Sequence, residues 1–174
     1  MKYISKLFLL AFIGFVACQP AVAQLPNPTI SAKYSNEEIA KMVKAHKGVK
    51  SKDIRPTSTL QNAVVKDFPG SRDIDWEVAA NLYEVEFEIG RTDCKAYYDA
   101  DGNLLMYSYE ISEAELPAII INAAMDKYPD SKFDDIKKVV KGTETFYVVE
   151  LDREYVDVKA TFTPQGTFIK EIVD

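Results

Sequence analysis

The chain has 174 residues, 47% of them apolar, with 21 basic side chains against 27 acidic ones and a formal net charge of −6. That length suits one domain or two small ones, and the apolar share is enough for a packed core. A net negative surface repels phosphate backbones and anionic lipid, so the composition argues against nucleic-acid binding.

The first 23 residues read as a secretory signal peptide. Lys2 and Lys6 give a basic start, Phe8 to Ala17 is an unbroken apolar run, and Ala21-Val22-Ala23 supplies an A-x-A cleavage pattern before Gln24. The run is too short to span a bilayer as a helix. A competing signal overlaps it. Phe15-Val16-Ala17-Cys18 resembles a lipoprotein motif that would lipidate Cys18, although Phe three residues before the Cys is atypical. Cleavage after Ala23 is the favoured reading, which puts the protein in the periplasm or outside the cell. A membrane anchor enters only if Cys18 is retained. Cleavage would remove two lysines and no acid and would leave Cys94 as the one thiol, so no internal disulfide is expected.

Residues 24–57 are expected to form a tether followed by an extra helix. Pro26 and Pro28 mark the tether over 24–34. Ser35-Asn36-Glu37-Glu38 is a capping box opening a helix over 35–47, with Ile39, Met42 and Val43 on one side.

Two stretches then match each other, 58–112 and 113–174. NAVVKDFPGS, ending at Ser71, recurs sixty residues later as NAAMDKYPDS, ending at Ser131. Tyr83-Glu84-Val85-Glu86-Phe87 matches Tyr147-Val148-Val149-Glu150-Leu151 at an offset of 64, and Ala96 to Gly102 matches Ala160 to Gly166 at the same offset. Two copies of one unit account for this ordered set. Each copy should begin with a helix. Leu60, Val64 and Phe68 line one face of the first, capped by Thr57 or Ser58. Ile120, Ala124 and Tyr128 line the second, with Pro117 at its first position. Both helices stop at the aromatic before Pro, because Pro disfavours the helical conformation in the preceding residue.

Four strands follow each helix. Ile74, Trp76 and Val78 alternate with Asp73, Asp75 and Glu77, and Tyr83, Val85, Phe87 and Ile89 alternate with Glu84, Glu86 and Glu88. Period two with one apolar and one charged face means a half-buried antiparallel strand. Residues 94–99 and 103–111 add two more, and 133–140, 144–151, 155–163 and 167–173 repeat the set. The fold class is α+β: two tandem units, each a helix covering one face of a four-stranded antiparallel sheet.

The turn Tyr97-Tyr98-Asp99-Ala100-Asp101-Gly102-Asn103 looks like the start of a calcium loop. Counted from Asp99, however, Gly102 falls at position 4 instead of 6, and the flanks are strand-like. The matching turn, Thr163 to Thr167, has no carboxylate. The shared Gly points to a hairpin turn needing positive φ. No metal site and no cofactor are expected.

Catalytic constellations are missing too. His46 is the lone histidine, near a helix C-terminus where a dipole contact explains it. Cys94 aligns with Val158 and sits among core positions, so it reads as a small hydrophobe. Trp76 reads as core. The protein is therefore expected not to be an enzyme. The candidate site is instead the sheet face opposite the core, where Glu84, Glu86 and Glu88 line up beside Lys95 and Tyr97. The second copy adds Tyr155, Asp157 and Lys159, alongside Phe146, Val148 and Glu150. Tyr and apolar side chains set among charges are what protein recognition uses.

The string from Phe68-Pro69-Gly70-Ser71 through Ile74-Asp75-Trp76, Tyr83 to Phe87 and Ala96 to Asn103 to Ile111-Ser112-Glu113-Ala114-Glu115-Leu116-Pro117-Ala118 resembles the bacterial PepSY-like family, also described as β-lactamase-inhibitor-like. The resemblance covers about residues 58–172. It implies an exported tandem α+β protein without established chemistry, acting as a binding or inhibitor module on another exported protein. The second copy departs from the pattern at Thr163-Pro164-Gln165 and lacks the Trp. The expected function is thus a non-enzymatic module that binds an exported protein or peptide, such as an inhibitor or regulator of an envelope protease or hydrolase. The alternative is an envelope sensor or scaffold, or a small-ligand or ion-binding protein, lipid-anchored if Cys18 is kept.

Overall fold

The computed structural model of the chain describes residues 25–153 and 156–173. The leader with its two competing processing signals, and Tyr155, lie outside the described residues.

The elements run α1 (Asn36–Lys47), β1 (Lys52–Asp53), α2 (Ser58–Asp67), β2 (Arg72–Ala79), β3 (Leu82–Ile89), β4 (Thr92–Tyr98), β5 (Leu104–Glu110), a 3-10 turn (Glu113–Glu115), α3 (Ala118–Lys127), β6 (Lys132–Lys141), β7 (Glu144–Asp152), β8 (Val158–Phe162) and β9 (Phe168–Val173). The nine strands form one antiparallel sheet in sequence order. β5 pairs with β6 from Met106↔Lys141 to Glu110↔Lys137, which makes the sheet continuous across the middle of the chain.

α2 and α3 cover one face of this sheet. α2 is capped by Thr57 and buries Leu60, Val64 and Phe68 against Trp76, Val85, Phe87, Ala96, Tyr107 and Tyr109. α3 buries Ile120, Ala124 and Tyr128 against Ile136, Val149, Leu151, Ala160 and Phe162. Pro117 sits one residue earlier than expected, as the N-cap with extended ψ, so the first helical turn starts at Ala118. Both helices end in the same way. Phe68 and Tyr128 have φ/ψ of −130/69 and −129/69, the geometry that the following Pro imposes.

Other local features recur between the halves. Register shifts fall between Arg72 and Asp75 and between Phe133 and Ile136, then between Tyr97 and Tyr98 and between Thr161 and Phe162. The β4–β5 and β8–β9 turns close with the same pair of backbone bonds, Gly102 N to Asp99 O and Asp99 N to Asn103 O in one, Gly166 N to Thr163 O and Thr163 N to Thr167 O in the other. Gly102 and Gly166 supply the positive φ.

Two expectations need correction. Ile74 is 38% exposed instead of buried, because the β-bulge around Asp73, whose φ is +51, turns it away from the core. It lines a shallow groove of about 520 Å³ with Ile54, Pro56, Val65 and Trp76 at the β1 edge. The segment 25–34 is not a free tether. Leu25 and Ile30 pack on the first core, Tyr107 Oη donates to Asn27 Oδ1 at 2.8 Å, Tyr109 Oη donates to the Pro26 carbonyl, and Ser31 N donates to Leu104 O at 2.9 Å. Two prolines favour an extended strand-like run, and the tyrosine hydroxyls supply the donors it then meets.

Candidate functional site: the sheet face beneath α1

The second face of the sheet is built by alternation. Side chains that point away from α2 and α3 form rows across the strands: Glu77–Glu84–Tyr97–Met106–Lys141–Glu144, then Asp75–Glu86–Lys95–Ser108–Val139–Phe146, then Lys137–Val148–Thr161–Lys170, then Glu150–Lys159–Ile172.

α1 lies on part of this face. Its N-terminus carries the expected capping box, Ser35 with Glu38. Ile39 and Val43 bury themselves against Leu82, Tyr97 and Leu105 in a third core cluster. The helix is tied down at both ends. Asn36 Oδ1 accepts from Thr143 N at 3.1 Å and Asn36 Nδ2 donates to Thr143 Oγ1 at 3.1 Å, on the β6–β7 turn. At the other end His46 is 4% exposed and meets β2 and β3. Twelve residues of helix reach roughly 18 Å, enough to cross from β3 to β6, about 14 Å away at normal strand spacing.

His46 carries the electrostatics of that contact. Its Nδ1 lies 3.2 Å from the Ala79 carbonyl and its Nε2 lies 2.8 Å from Glu84 Oε2. Both ring nitrogens are thus engaged, which ties the end of α1 to β2 and β3. Lys95 Nζ holds the other carboxylate oxygen of Glu84 at 2.5 Å and reaches Glu86 at 2.6 Å. Burial pushes the Glu84 carboxyl up. Hydrogen bonds from Lys95 and Tyr97 and the charges of Lys95 and His46 outweigh it and leave its pKa below the usual value. Tyr97 moves the opposite way, raised by burial and by the Glu84 charge.

The expected open face is therefore only partly open. Glu84 and Tyr97 are 8% and 1% exposed and lie under α1, so neither is available to a partner. The sequence shows a helix with an apolar side, but nothing in a local pattern says which face receives it. Glu86 and Lys95 stand clear of the helix, with side chains 61% and 37% exposed. Glu88 sits at the far end of β3, where Arg72 Nη2 pairs with it at 2.9 Å. Lys159 pairs with Glu150 at 2.8 Å, and Asp157 is exposed just before β8. The structure also brings in Val139, Lys137 and Lys170, which the sequence reading did not single out for this face. Around them, Phe146 packs under the Lys141 ammonium at 5.1 Å, and Val148 lies between Lys137 and Thr161.

The acidic turn is a closed structure. Asp99 is 5% exposed and accepts from Asp101 N and Asn103 N at 2.9 Å each, from Asn103 Nδ2, from Lys33 Nζ at 2.8 Å and from Tyr34 Oη at 3.0 Å. Donors of the chain itself fill the lone pairs that a cation would need. Burial alone would raise the Asp99 carboxyl, but the Lys33, Asn103 and Tyr34 hydrogen bonds hold it at about 2. A carboxyl depressed in the folded state stabilises the fold above its unfolded value near pH 4 and loses that contribution as pH falls towards 2. The Lys33 side chain is 44% exposed, so water screens part of it and about 1–2 kcal/mol is expected. Urea midpoints taken from about pH 5 down to about pH 2 should converge for the native chain and Asp99→Asn. Parallel curves across that range would remove the role given to Asp99.

Cys94 is buried, and desolvation pushes its thiol up to about 12, so it holds no thiolate at neutral pH. Trp76 is 6% exposed in the first core. Among the described residues no group of three His, Cys, Asp or Glu side chains could hold a metal ion. Among the same residues no helix is long and apolar enough to cross a membrane.

A family model described as "Putative beta-lactamase-inhibitor-like, PepSY-like" matches residues 81–170, about half of the chain. The protein belongs to this PepSY-like family. Comparison with curated proteins gave no match. Solved structures share the fold. A BLIP-like protein from Bacteroides fragilis is 24% identical with a TM-score of 0.60, covering 69% of this chain and 87% of its own. A protein from Bacteroides eggerthii whose structure is described as one of "putative periplasmic proteins" is 18% identical with a TM-score of 0.64, covering 69% and 90%. A DUF2874 family protein from Bacteroides uniformis is 19% identical with a TM-score of 0.63, covering 68% and 90%. These similarities concern the fold; the site rests on the geometry of this chain.

Proposed function

We propose that this protein is an exported, non-enzymatic binding module of two copies of one α+β unit. It engages another exported protein through the part of the sheet face that α1 leaves uncovered. The observation that carries the reading is the strip Val139, Phe146 and Val148, half-buried, set among Lys141, Lys137 and Glu150 and outside the cluster that α1 covers. An apolar centre with a charged rim is the anatomy of a recognition surface. The two-copy architecture is supported by the matched helix ends, bulges and turns of the two halves. Export is supported by the apolar leader with its A-x-A signal and by the periplasmic description given to a fold neighbour. The absence of an enzymatic role is supported by His46 and Cys94, both buried and engaged within the fold. Membership of an inhibitor-like family fits a module that acts by occupying its target. If the target is a hydrolase, inhibition is steric.

The test is capture from envelope extract by the chain beginning at Gln24, run in parallel with Phe146→Glu and Val148→Glu. One saturable protein partner is expected, weakened at least about tenfold by each variant, since a central contact of such a surface contributes on the order of 2 kcal/mol. Equal capture by the native chain and both folded variants would overturn the reading.

A further inference from the structure

The two edges of the sheet are finished differently. At one, β1 is only two residues long, with Pro56 shortly after it, and β2 bulges at Asp73. Short strands, prolines and bulges are how a sheet blunts an edge against further strands. At the other, β9 is six residues long, holds no Pro and is exposed along its whole length. No described element pairs with its outer side. Of the eight large apolar side chains exposed among the described residues, four lie on this strand: Phe168, Ile169, Ile172 and Val173.

The first half of the chain shows what such a strand takes. β5 is the counterpart of β9. Leu104 pairs with Tyr98 and Tyr109 with Cys94, as Phe168 pairs with Phe162 and Val173 with Val158. On its outer side β5 carries an antiparallel strand, β6. α2 and α3 cover the same sheet face on either side of that seam, so the helical layers do not hinder such pairing. A β2 strand from another copy would continue the series on β9, but β2 is occupied. Trp76 and Ile136 hold equivalent places, opposite Val85 and Val149. Counting on, Glu77 and Val78 match Lys137 and Lys138, where Glu110 and Tyr109 of β5 sit. On β2 those places belong to Asp53 and Lys52 of β1. Head-to-tail growth is blocked, and β9 is the long open edge left among the described residues. A second copy brings the same edge.

We propose that β9 pairs antiparallel with β9 of a second copy of this chain, joining the two sheets into one across a two-fold axis. Residues directly opposite in an antiparallel pair share a face, so an axis normal to the sheet passes at the position of one residue. The regular stretch of β9 runs from Lys170 to Val173. Centring the axis on Lys170 or Glu171 sets like charges against each other, which is unfavourable. Centring it on Ile172 sets that side chain against its own copy and Glu171 against Val173. Glu171 is already held by the Tyr128 hydroxyl and by Lys127 at 3.6 Å, so it brings no free charge into the seam. The axis keeps the faces apart. α2 and α3 of both copies lie on one side, and both Val139–Phe146–Val148 strips on the other. The inference does not rest on the protein-binding reading, but adds to it a receptor with two strips facing one way. One strand pair buries less than the roughly 800 Å² per partner of a standard interface, so a dimer with a Kd on the order of 10 μM is expected.

Sedimentation velocity on the chain from Gln24 onward, from about 1 to about 300 μM, should show a monomer passing into a dimer and nothing larger. Ile172→Asp and Ile172→Lys each place like charges at the axis, and each should stay monomeric with an unchanged circular dichroism spectrum. Mixed in equal amounts, the two variants should dimerise again, because Asp then faces Lys. Phe146→Glu should leave the dimer intact, so loss of the dimer and loss of capture from extract are separate outcomes. A native chain that stays monomeric throughout, a dimer that persists in both Ile172 variants, or a mixture that stays monomeric would overturn the proposal. Species that keep growing beyond the dimer would overturn it as well. An extract protein lost from capture in Ile172→Asp, with the native chain itself monomeric, would give the edge to a strand of that partner instead.

Discussion

Replacing Glu84 by Ala is expected to destabilise the protein by about 2–3 kcal/mol, because it strips the buried His46 ring of its Nε2 partner and Lys95 of one of its two carboxylates. Among the described residues Glu84 is the carboxylate that His46 reaches, at 2.8 Å, and His46 and Glu84 are 4% and 8% exposed. Lys95 contributes less to the loss. It is partly exposed and keeps Glu86 at 2.6 Å, so water and that neighbour compensate it. The effect should be local first. α1 is anchored by this pair at one end and by Asn36 and Thr143 at the other, and its apolar side buries few residues. Hydrogen exchange should therefore show residues 36–47 losing protection before the strands do. Trp76, on the other side of the sheet, then reports the global transition separately. The double variant His46→Ala with Glu84→Ala separates the pair from its surroundings. It should be less destabilised than the sum of the single variants, since neither side chain is left buried without its partner. Additive losses, or a Glu84→Ala cost below about 1 kcal/mol, would show that packing and not the ion pair holds α1 down.

The largest loss is expected from Phe68→Ala, about 3–5 kcal/mol. Phe68 is fully buried, and its ring sits 4.8 Å from Phe87, 5.7 Å from Tyr107 and 6.3 Å from Tyr109, tilted or edge-on in each case. The residue also caps α2, and Pro69 after it prevents the backbone from extending the helix to fill the gap. A cavity among the three remaining aromatic rings collapses poorly, so the transfer loss and the cavity loss add. For a domain stable by some 5–15 kcal/mol this removes a large share of the total. Urea unfolding followed by Trp76 fluorescence measures it. An unchanged slope with a shifted midpoint is expected, since β5–β6 pairing makes one sheet of the two halves. A biphasic curve, with the second half outlasting the first, would show that the halves unfold independently. A loss below about 2 kcal/mol would mean that the aromatic cluster closes over the gap.

Both experiments bear on what was legible in the sequence. The helices were, because an apolar residue every fourth position and a cap before the first turn are local signals. Phe68 and Tyr128 were correctly placed on those faces for the same reason, and the aromatic-Pro ends marked where they stop. The strands followed from period-two alternation. The turns at Gly102 and Gly166 followed from the need for positive φ. Ile74 fails that logic, because the bulge at Asp73 breaks the period without leaving a mark in composition.

The candidate site was legible only in part. Alternation placed Glu84, Glu86, Glu88, Lys95 and Tyr97 on the face opposite the helical layer, and the register agrees. Alternation cannot say what else lands on that face. His46 and Glu84 are separated by 38 residues, and their contact depends on where α1 docks. The same holds for the Lys33 and Tyr34 contacts with Asp99, which turned an apparent tether into a docked segment. The three helices, eight of the nine strands, the turns and the family are written in spacings of a few residues, whereas the two-residue β1 and the 3-10 turn at Glu113–Glu115 carry no such pattern. Which part of the sheet α1 covers and which stays open is settled only by packing. Those outcomes depend on one helix choosing a face and on nine strands pairing into one sheet.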